Sequence, residues 1–196
     1  MERIVVQRKI LDQTVTFSYE PEGQHGIFLS GGLDSLAFLN WMSVDAPQLL
    51  KQLTAFTFKK ENQESAIEIA KRYKLKNHQL IEAQAQQGAA ARSVGIENPQ
   101  IKLFYAAVTA NPTIKLNFQG EEAKRGDRPN KRLQMPFVNL DKRYTVQLAL
   151  DLKAPIVLSH TCTSLEKEHC GRCFMCSERR WAFGELKVTD PTKYVA

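Results

Sequence analysis

Ile27-Phe28-Leu29-Ser30-Gly31-Gly32-Leu33-Asp34-Ser35-Leu36-Ala37-Phe38-Leu39 runs from an apolar triplet through a serine and two glycines into a second apolar segment. The pattern predicts a buried strand, a tight turn and the start of a helix. Gly31 and Gly32 can take backbone angles closed to other residues and let a ligand come close to the main chain. Asp34 or Ser35 is placed to cap the helix, and the N–H groups of its first turn favour an anion. Ser30 and Ser35 add hydroxyl donors, so the turn reads as a phosphate cradle. An ordinary Gly-rich strand–helix turn is the plainer alternative, and a bare Gly-Gly would favour it.

No lysine follows the glycines, which separates the turn from G-x-x-x-x-G-K-[ST], and the third glycine of the dinucleotide fingerprint is missing. The chain has 196 residues, 43% hydrophobic and 24% charged, enough for one α/β core with an appendage. No apolar run approaches a membrane span, and Glu2 and Arg3 precede only a short apolar triplet, unlike a secretory signal. A cytoplasmic location is the default expectation. The net charge of +6 suits a ligand rich in phosphate. Without an RNA-recognition signature or an aromatic platform, a dedicated nucleic-acid role is disfavoured.

Upstream of the turn, Ile4-Val5-Val6 and Val15-Thr16-Phe17-Ser18-Tyr19 have strand character, and residues 9–13 would join them as a hairpin. Pro21-Glu22-Gly23-Gln24 breaks the chain before the next strand. His25 at the mouth of that strand is expected as a solvent-exposed loop residue, with phosphate contact as the alternative. Downstream, Pro47 ends the first helix, residues 53–58 read as a second strand, 61–73 as a helix and 77–81 as a third strand. Residues 83–95 are Ala/Gln-rich and read as a surface helix or a loop. A helix is predicted over 101–110, a fourth strand over 113–118, a helix from Lys142 to Leu152 and a fifth strand over 154–158. This alternation argues for a parallel sheet with helices on both faces, binding its ligand at the carboxyl ends of the strands, where residues 30–35 lie.

After the fourth expected strand come Glu121 and Glu122 and then a basic run containing Arg125, Arg128 and Arg132. Glu121 or Glu122 could reach an amine or Mg²⁺, and an arginine could clamp a carboxylate or phosphate; a solvated loop is the equal alternative. Lys142 stands where the helix dipole favours anions, so it is either exposed or aimed at a bound phosphate. All four cysteines fall in one cluster, Cys162-x7-Cys170-x2-Cys173-x2-Cys176. Two C-x2-C steps sharing Cys173 have the spacing of a tetrahedral metal site, with Gly171 easing the turn, and four ligands make it structural, best suited to Zn²⁺. An iron–sulfur cluster, a redox pair, or His160 or His169 in place of one thiolate are the alternatives.

Ser30, Gly31, Gly32, Asp34 and Ser35 resemble the S-G-G-x-D-S signature of the PP-loop ATP pyrophosphatases. Together with the cysteine cluster, Pro136-Phe137, Lys142, Arg179, Ala182-Phe183 and Asp190-Pro191-Thr192-x-Tyr194, they make the chain similar to the 7-cyano-7-deazaguanine synthases of queuosine biosynthesis. The resemblance implies a Rossmann-like (adenine nucleotide alpha hydrolase-like) α/β fold with a parallel five-stranded sheet. Residues 1–24 would form an N-terminal β-hairpin extension, 25–158 the ATP-binding domain and 159–196 a C-terminal zinc-binding knuckle. It implies ATP, Mg²⁺ and Zn²⁺ as cofactors, with Ser30, Gly31, Gly32, Leu33, Asp34, Ser35 and Phe58 around the nucleotide. Asp34, Ser35 and Lys142 would serve catalysis, Glu121, Arg125, Arg128 and Arg179 the substrate, and Cys162, Cys170, Cys173 and Cys176 the zinc. The implied partners are a deazaguanine carboxylate and ammonia, with a homodimer suggested by related enzymes. Three stretches depart from the family pattern: Lys59-Lys60-Glu61 replaces a Gly-Gln pair, residues 89–108 lack an Arg-Asn pair, and the substrate loop is the basic run 124–132. The competing readings are a ligase that stops at the amide or joins the activated acid to another amine, a tRNA-thiolating enzyme, and a non-catalytic nucleotide-binding module.

Overall fold

The computed structural model describes residues 2–59, 63–82, 94–112, 132–163 and 168–195. Two antiparallel strands, β1 (Ile4–Ile10) and β2 (Gln13–Tyr19), form the N-terminal hairpin, with Leu11 turning at φ 52°. Their inward residues alternate along the chain: Val6, Ile10, Val15, Phe17 and Tyr19 are buried. Phe17 meets Phe38, Trp41 and Tyr105 edge-on at 5.3, 4.8 and 6.1 Å between ring centres, so the hairpin lies across the core.

The sheet contains β3 (Gln24–Phe28), β4 (Leu53–Phe58), β5 (Asn77–Ile81), β6 (Ile101–Ala106) and the two-residue β7 (Leu133–Gln134). Every pairing is parallel, in the order β5-β4-β3-β6-β7. The chain therefore steps outward from β3 on one side and returns to lay β6 and β7 on the other. That reversal makes the carboxyl end of β3 a switch point, where the crevice for a ligand opens in sheets of this kind.

The parallel five-stranded α/β architecture agrees with the expected class, but two strands come from other residues. The segment predicted as a helix over 101–110 is strand β6, because Ile101, Leu103, Phe104 and Tyr105 are buried in the sheet interior. Residues 154–158 are not a strand: Pro155 has no N–H for a ladder, Ile156–Leu158 forms a 3₁₀ turn and Val157 is exposed. The predicted strand at 113–118 and most of 83–95 lie outside the described residues.

The helices are α1 (Leu33–Asp45), the short α2 (Pro47–Leu50), α3 (Glu64–Arg72), α4 (Lys142–Asp151) and α5 (Phe174–Glu185). α1 is buried nearly all round, from Leu33 and Leu36 through Met42, as befits a central helix. It packs on α4, which in turn packs on α5. His25, expected to be exposed, is fully buried on β3: its Nε2 donates to the Glu20 carbonyl at 2.9 Å, and burial pushes its pKa down.

Candidate active site and metal centre

The turn after β3 is fixed first by backbone. Leu29 N–H donates to the Phe56 carbonyl at 2.9 Å, tying the strand end to β4. Gly31 has φ +79°, and a Cβ there would come within 2.8 Å of the Ala66 backbone nitrogen, in the first turn of α3. Both the left-handed conformation and the contact exclude a larger residue. Its carbonyl accepts the His160 N–H at 2.9 Å, so the segment after the 3₁₀ turn closes over the glycine.

Gly32, rather than Asp34 or Ser35, is the N-cap of α1, and no side chain caps this helix among the described residues. The first-turn N–H groups thus keep the anion-favouring character of an open helix start. Ser35 Oγ donates back to the Gly32 carbonyl at 3.0 Å and lies 3.1 Å from Ser30 Oγ, which accepts the Gly32 N–H at 3.2 Å. Ser30 is exposed and Ser35 is buried, so Ser30 is the hydroxyl of the turn that is open to solvent. The Leu33 side chain is in the core, leaving only its main chain for a ligand. Phe58 stands at the carboxyl end of β4 with its ring parallel to Phe28, 6.0 Å between centres.

Asp34 is occupied by α4. Its Oδ2 accepts from Lys142 Nζ at 2.7 Å and its Oδ1 from Thr145 Oγ1 at 2.6 Å. Lys142 is neither exposed nor free for a phosphate: it is 2% exposed and also pairs with Glu178 Oε2 at 3.2 Å. Burial acts to lower its pKa, but the charges of Asp34 and Glu178 outweigh it and keep Lys142 an ammonium. Asp34, with 19% of its side chain accessible, retains lone pairs of the oxygen type that magnesium takes.

Arg179, a substrate candidate by sequence, is fully buried and already holds a carboxylate of its own chain. Its Nε and Nη2 donate to Asp190 at 2.9 and 3.0 Å, and Nη1 to Ser159 Oγ at 2.8 Å and Thr161 Oγ1 at 3.2 Å. Arg132 is spent on the carbonyls of Gly95, Asn98 and Ile101. Glu121, Glu122, Arg125 and Arg128 lie outside the described residues.

The four thiols converge. Cys162, Cys170, Cys173 and Cys176 have their sulfurs within 4.8 Å of one another, with Cys162 and Cys173 3.9 Å apart. A tetrahedral zinc with bonds near 2.3 Å separates its sulfurs by about 3.8 Å, so the donor set and spacing fit that ion. N–H groups of Cys170, Cys173 and Cys176 point at the preceding sulfurs at 3.3–3.4 Å. Against the opposing effect of burial, such bonds hold the Cys173 thiol below its usual pKa, while burial pushes Cys176 up. Gly171 makes the turn at φ +73°. His169 stands beside the cluster: its Nε2 accepts the Thr161 N–H at 3.0 Å and its ring lies tilted against His160, 4.4 Å between centres. Burial, then the neighbouring His160 and Arg179, bring His169 down to about 4.

Three participants escaped sequence reasoning: Thr145, Glu178 and the His160 main chain. Each acts on a residue more than 30 positions away, and no local spacing marks it.

These features define a class: a parallel α/β protein with a glycine–serine anion turn at its switch point and a four-thiol knuckle behind it. Residues 114–187 match the family model described as queuosine biosynthesis protein QueC. The 7-cyano-7-deazaguanine synthase of Methanobrevibacter smithii is 36% identical over 69 residues, covering 35% of this chain and 30% of that protein. Those of Methanothrix thermoacetophila and a Chelativorans species are 41% and 44% identical over 59 and 62 residues. These alignments cover 30% and 32% of this chain, and 26% and 27% of the relatives. The chain thus matches less than a third of the length of these curated relatives. The chain resembles the QueC family, as its motifs led us to expect, and the family match includes the helix of Lys142 and the whole cysteine knuckle. No helix among the described residues is long and apolar enough to cross a membrane.

Proposed function

We propose that this chain is an ATP-dependent enzyme of queuosine biosynthesis that converts 7-carboxy-7-deazaguanine and ammonia to 7-cyano-7-deazaguanine. One observation carries the reading. Lys142, Thr145 and His160, all inside the QueC-like stretch, hold the aspartate and the glycine carbonyl of the 30–35 turn, which lies outside it. These contacts support reading the family-like region and the glycine turn as one site.

In this reading the carboxylate oxygen attacks the α-phosphorus of ATP, forming an acyl-adenylate and releasing pyrophosphate. Ammonia adds to the acyl carbon and displaces AMP, leaving the amide. A second ATP is attacked at its α-phosphorus by the amide oxygen, releasing pyrophosphate, and that oxygen then departs with AMP as the nitrogen loses its protons and the nitrile forms. Ser30, the N–H groups at the start of α1 and the open main chain at Gly31 and Gly32 receive the charge of the leaving pyrophosphate. Mg²⁺ would be held near Asp34 and would neutralise phosphate charge. Zn²⁺ would be held by the four thiolates and is structural, since four protein ligands leave no open position. Residues 25–158 then carry the nucleotide and 159–196 the metal, behind the hairpin of 1–24. The setting is cytoplasmic, and the partners are small molecules.

Incubation with ATP, Mg²⁺, ammonium and 7-carboxy-7-deazaguanine, followed by mass spectrometry, tests the proposal. Nitrile with two AMP per product is expected. Amide alone would reassign the chain to a ligase that stops there, and absence of substrate-dependent AMP would sink the reading.

A further inference from the structure

We infer that His78 is a positioning residue for the glycine turn: its ring N–H holds the Thr57 hydroxyl on the Leu29 carbonyl, which aims the Ser30 N–H into the crevice as a donor to bound phosphate. The role rests on the nucleotide reading above and falls to a residue outside the family match at 114–187.

Where the chain leaves β3 for the turn, a side chain takes over from the sheet. Leu29 N–H still donates to β4, at the Phe56 carbonyl. The Leu29 carbonyl accepts instead from the Thr57 hydroxyl, at 2.6 Å. Thr57 is buried on β4, and its Oγ1 also lies 2.8 Å from Nε2 of His78 on β5. His78 is in register with Ala55, and Thr57, two residues on, shares that face of the sheet. A hydroxyl has a single proton. With that proton committed to Leu29, Thr57 Oγ1 can only accept from the ring, so His78 Nε2 carries a proton. Burial pushes the His78 pKa down, so at neutral pH this is the only proton on the ring nitrogens.

Both bonds therefore run one way, from ring to hydroxyl to carbonyl, and they end on a peptide plane. In a trans peptide the C=O and the following N–H point in opposite directions. β3 lies between β4 and β6. With the Leu29 carbonyl held towards β4, the Ser30 N–H faces the β6 side, where the switch-point crevice opens. It donates to no group among the described residues, and Ser30 is exposed. That N–H stands just ahead of the open first turn of α1 and adds one donor to it. Without the ring N–H, the Thr57 hydroxyl is free to rotate off Leu29, and the plane loses its anchor on the carbonyl side. His78 thus sets the direction of a phosphate donor without touching the phosphate.

The test measures, by calorimetry, the affinity of zinc-loaded full-length protein for a non-hydrolysable ATP analogue with Mg²⁺, and follows the His78 ring and the Ser30 amide by nitrogen-15 NMR. Wild-type protein should show the Nε2–H tautomer and a Ser30 amide signal that moves when the analogue binds. His78→Phe, which keeps a ring but removes the donor, should weaken binding about fivefold, and Thr57→Val about tenfold. Because the two residues act in series, the double variant should be no weaker than Thr57→Val alone. His78→Gln, whose amide can still donate, should recover most of the affinity. A bond that serves only the fold would lower the melting temperature and leave the affinity and the Ser30 signal unchanged. That result, an Nδ1–H ring, or losses that simply add in the double variant would overturn the inference while the nucleotide reading stands. Should His78→Phe fail to fold, His78→Asn, whose amide stops short of Thr57, takes its place with the same expectation. If wild-type protein does not bind the analogue, the nucleotide reading itself fails and takes this inference with it.

Discussion

At residues 30–35 the chain borrows its supports, whereas between Cys162 and Cys176 it makes its own. The glycine turn depends on Lys142 and Thr145 for the orientation of Asp34, and on His160 for the Gly31 carbonyl. The knuckle gathers four thiols from a single short stretch, and the N–H groups of Cys170, Cys173 and Cys176 already face its sulfurs. The first site is a product of the hydrophobic core; the second is a set of four thiols whose spacing suits an ion. They should therefore fail differently: the knuckle all at once with its metal, the turn by degrees.

The sharpest way to break the comparison is Cys173→Ser. Structural zinc contributes about 10–16 kcal/mol of apparent binding energy that is also folding energy. Metal analysis should show the variant without zinc and poorly soluble, and full zinc content would refute the ligand assignment. Next comes Lys142→Met, which leaves Asp34 and Glu178 facing each other without the ammonium. Urea unfolding should register a loss of about 3–5 kcal/mol, with zinc content preserved. A loss below about 1 kcal/mol would mean that the trio contributes little to the fold.

Gly31→Ala strains the turn more gently. The left-handed backbone costs about 1–2 kcal/mol, and the new methyl displaces the start of α3 at Ala66. Calorimetry should find nucleotide affinity lost while the zinc site stays intact; retained affinity would show that the turn does not hold the ligand. The smallest effect belongs to the tail. Burial acts to raise the Asp190 pKa, but hydrogen bonds from Arg179 and Tyr194 and the charge of Arg179 hold it below the ordinary carboxylate value. A depressed carboxylate stabilises the fold above its unfolded pKa, and that contribution is lost as pH falls through the folded value. Stability should therefore drop by about 1 kcal/mol below about pH 4, and Asp190→Asn should flatten that step in an acid titration followed by circular dichroism.

The contrast between the two sites also explains what could be read beforehand. The glycine turn, β4, β5 and the knuckle announce themselves because their residues are neighbours in sequence. β6 did not: Leu103, Phe104, Ala107 and Val108 have helical spacing, and a strand covered on both faces loses the alternation that would identify it. The apolar run 154–158 has the composition of a strand, but Pro155 denies it a ladder bond and Ile156–Leu158 folds as a 3₁₀ turn. β7 has two residues and no pattern of its own. His25 looked exposed because a breaker precedes it, yet the Glu20 carbonyl at that breaker is what satisfies the ring. In the site, the motif residues of the turn were visible. The pairing of Lys142 with Asp34 and Glu178 was not, because a buried ion pair leaves no trace in local spacing.

The partners of Asp34 lie 108 and 111 residues further along the chain, and the partner of Gly31 further still. On the ribosome, β3, the glycine turn and α1 are therefore complete long before anything exists to hold them in register. The glycine turn is among the earlier parts to be synthesised, and the groups that hold it are among the later ones. A chain interrupted before α4 carries the full S-G-G-x-D-S stretch without the lysine and threonine that hold its aspartate.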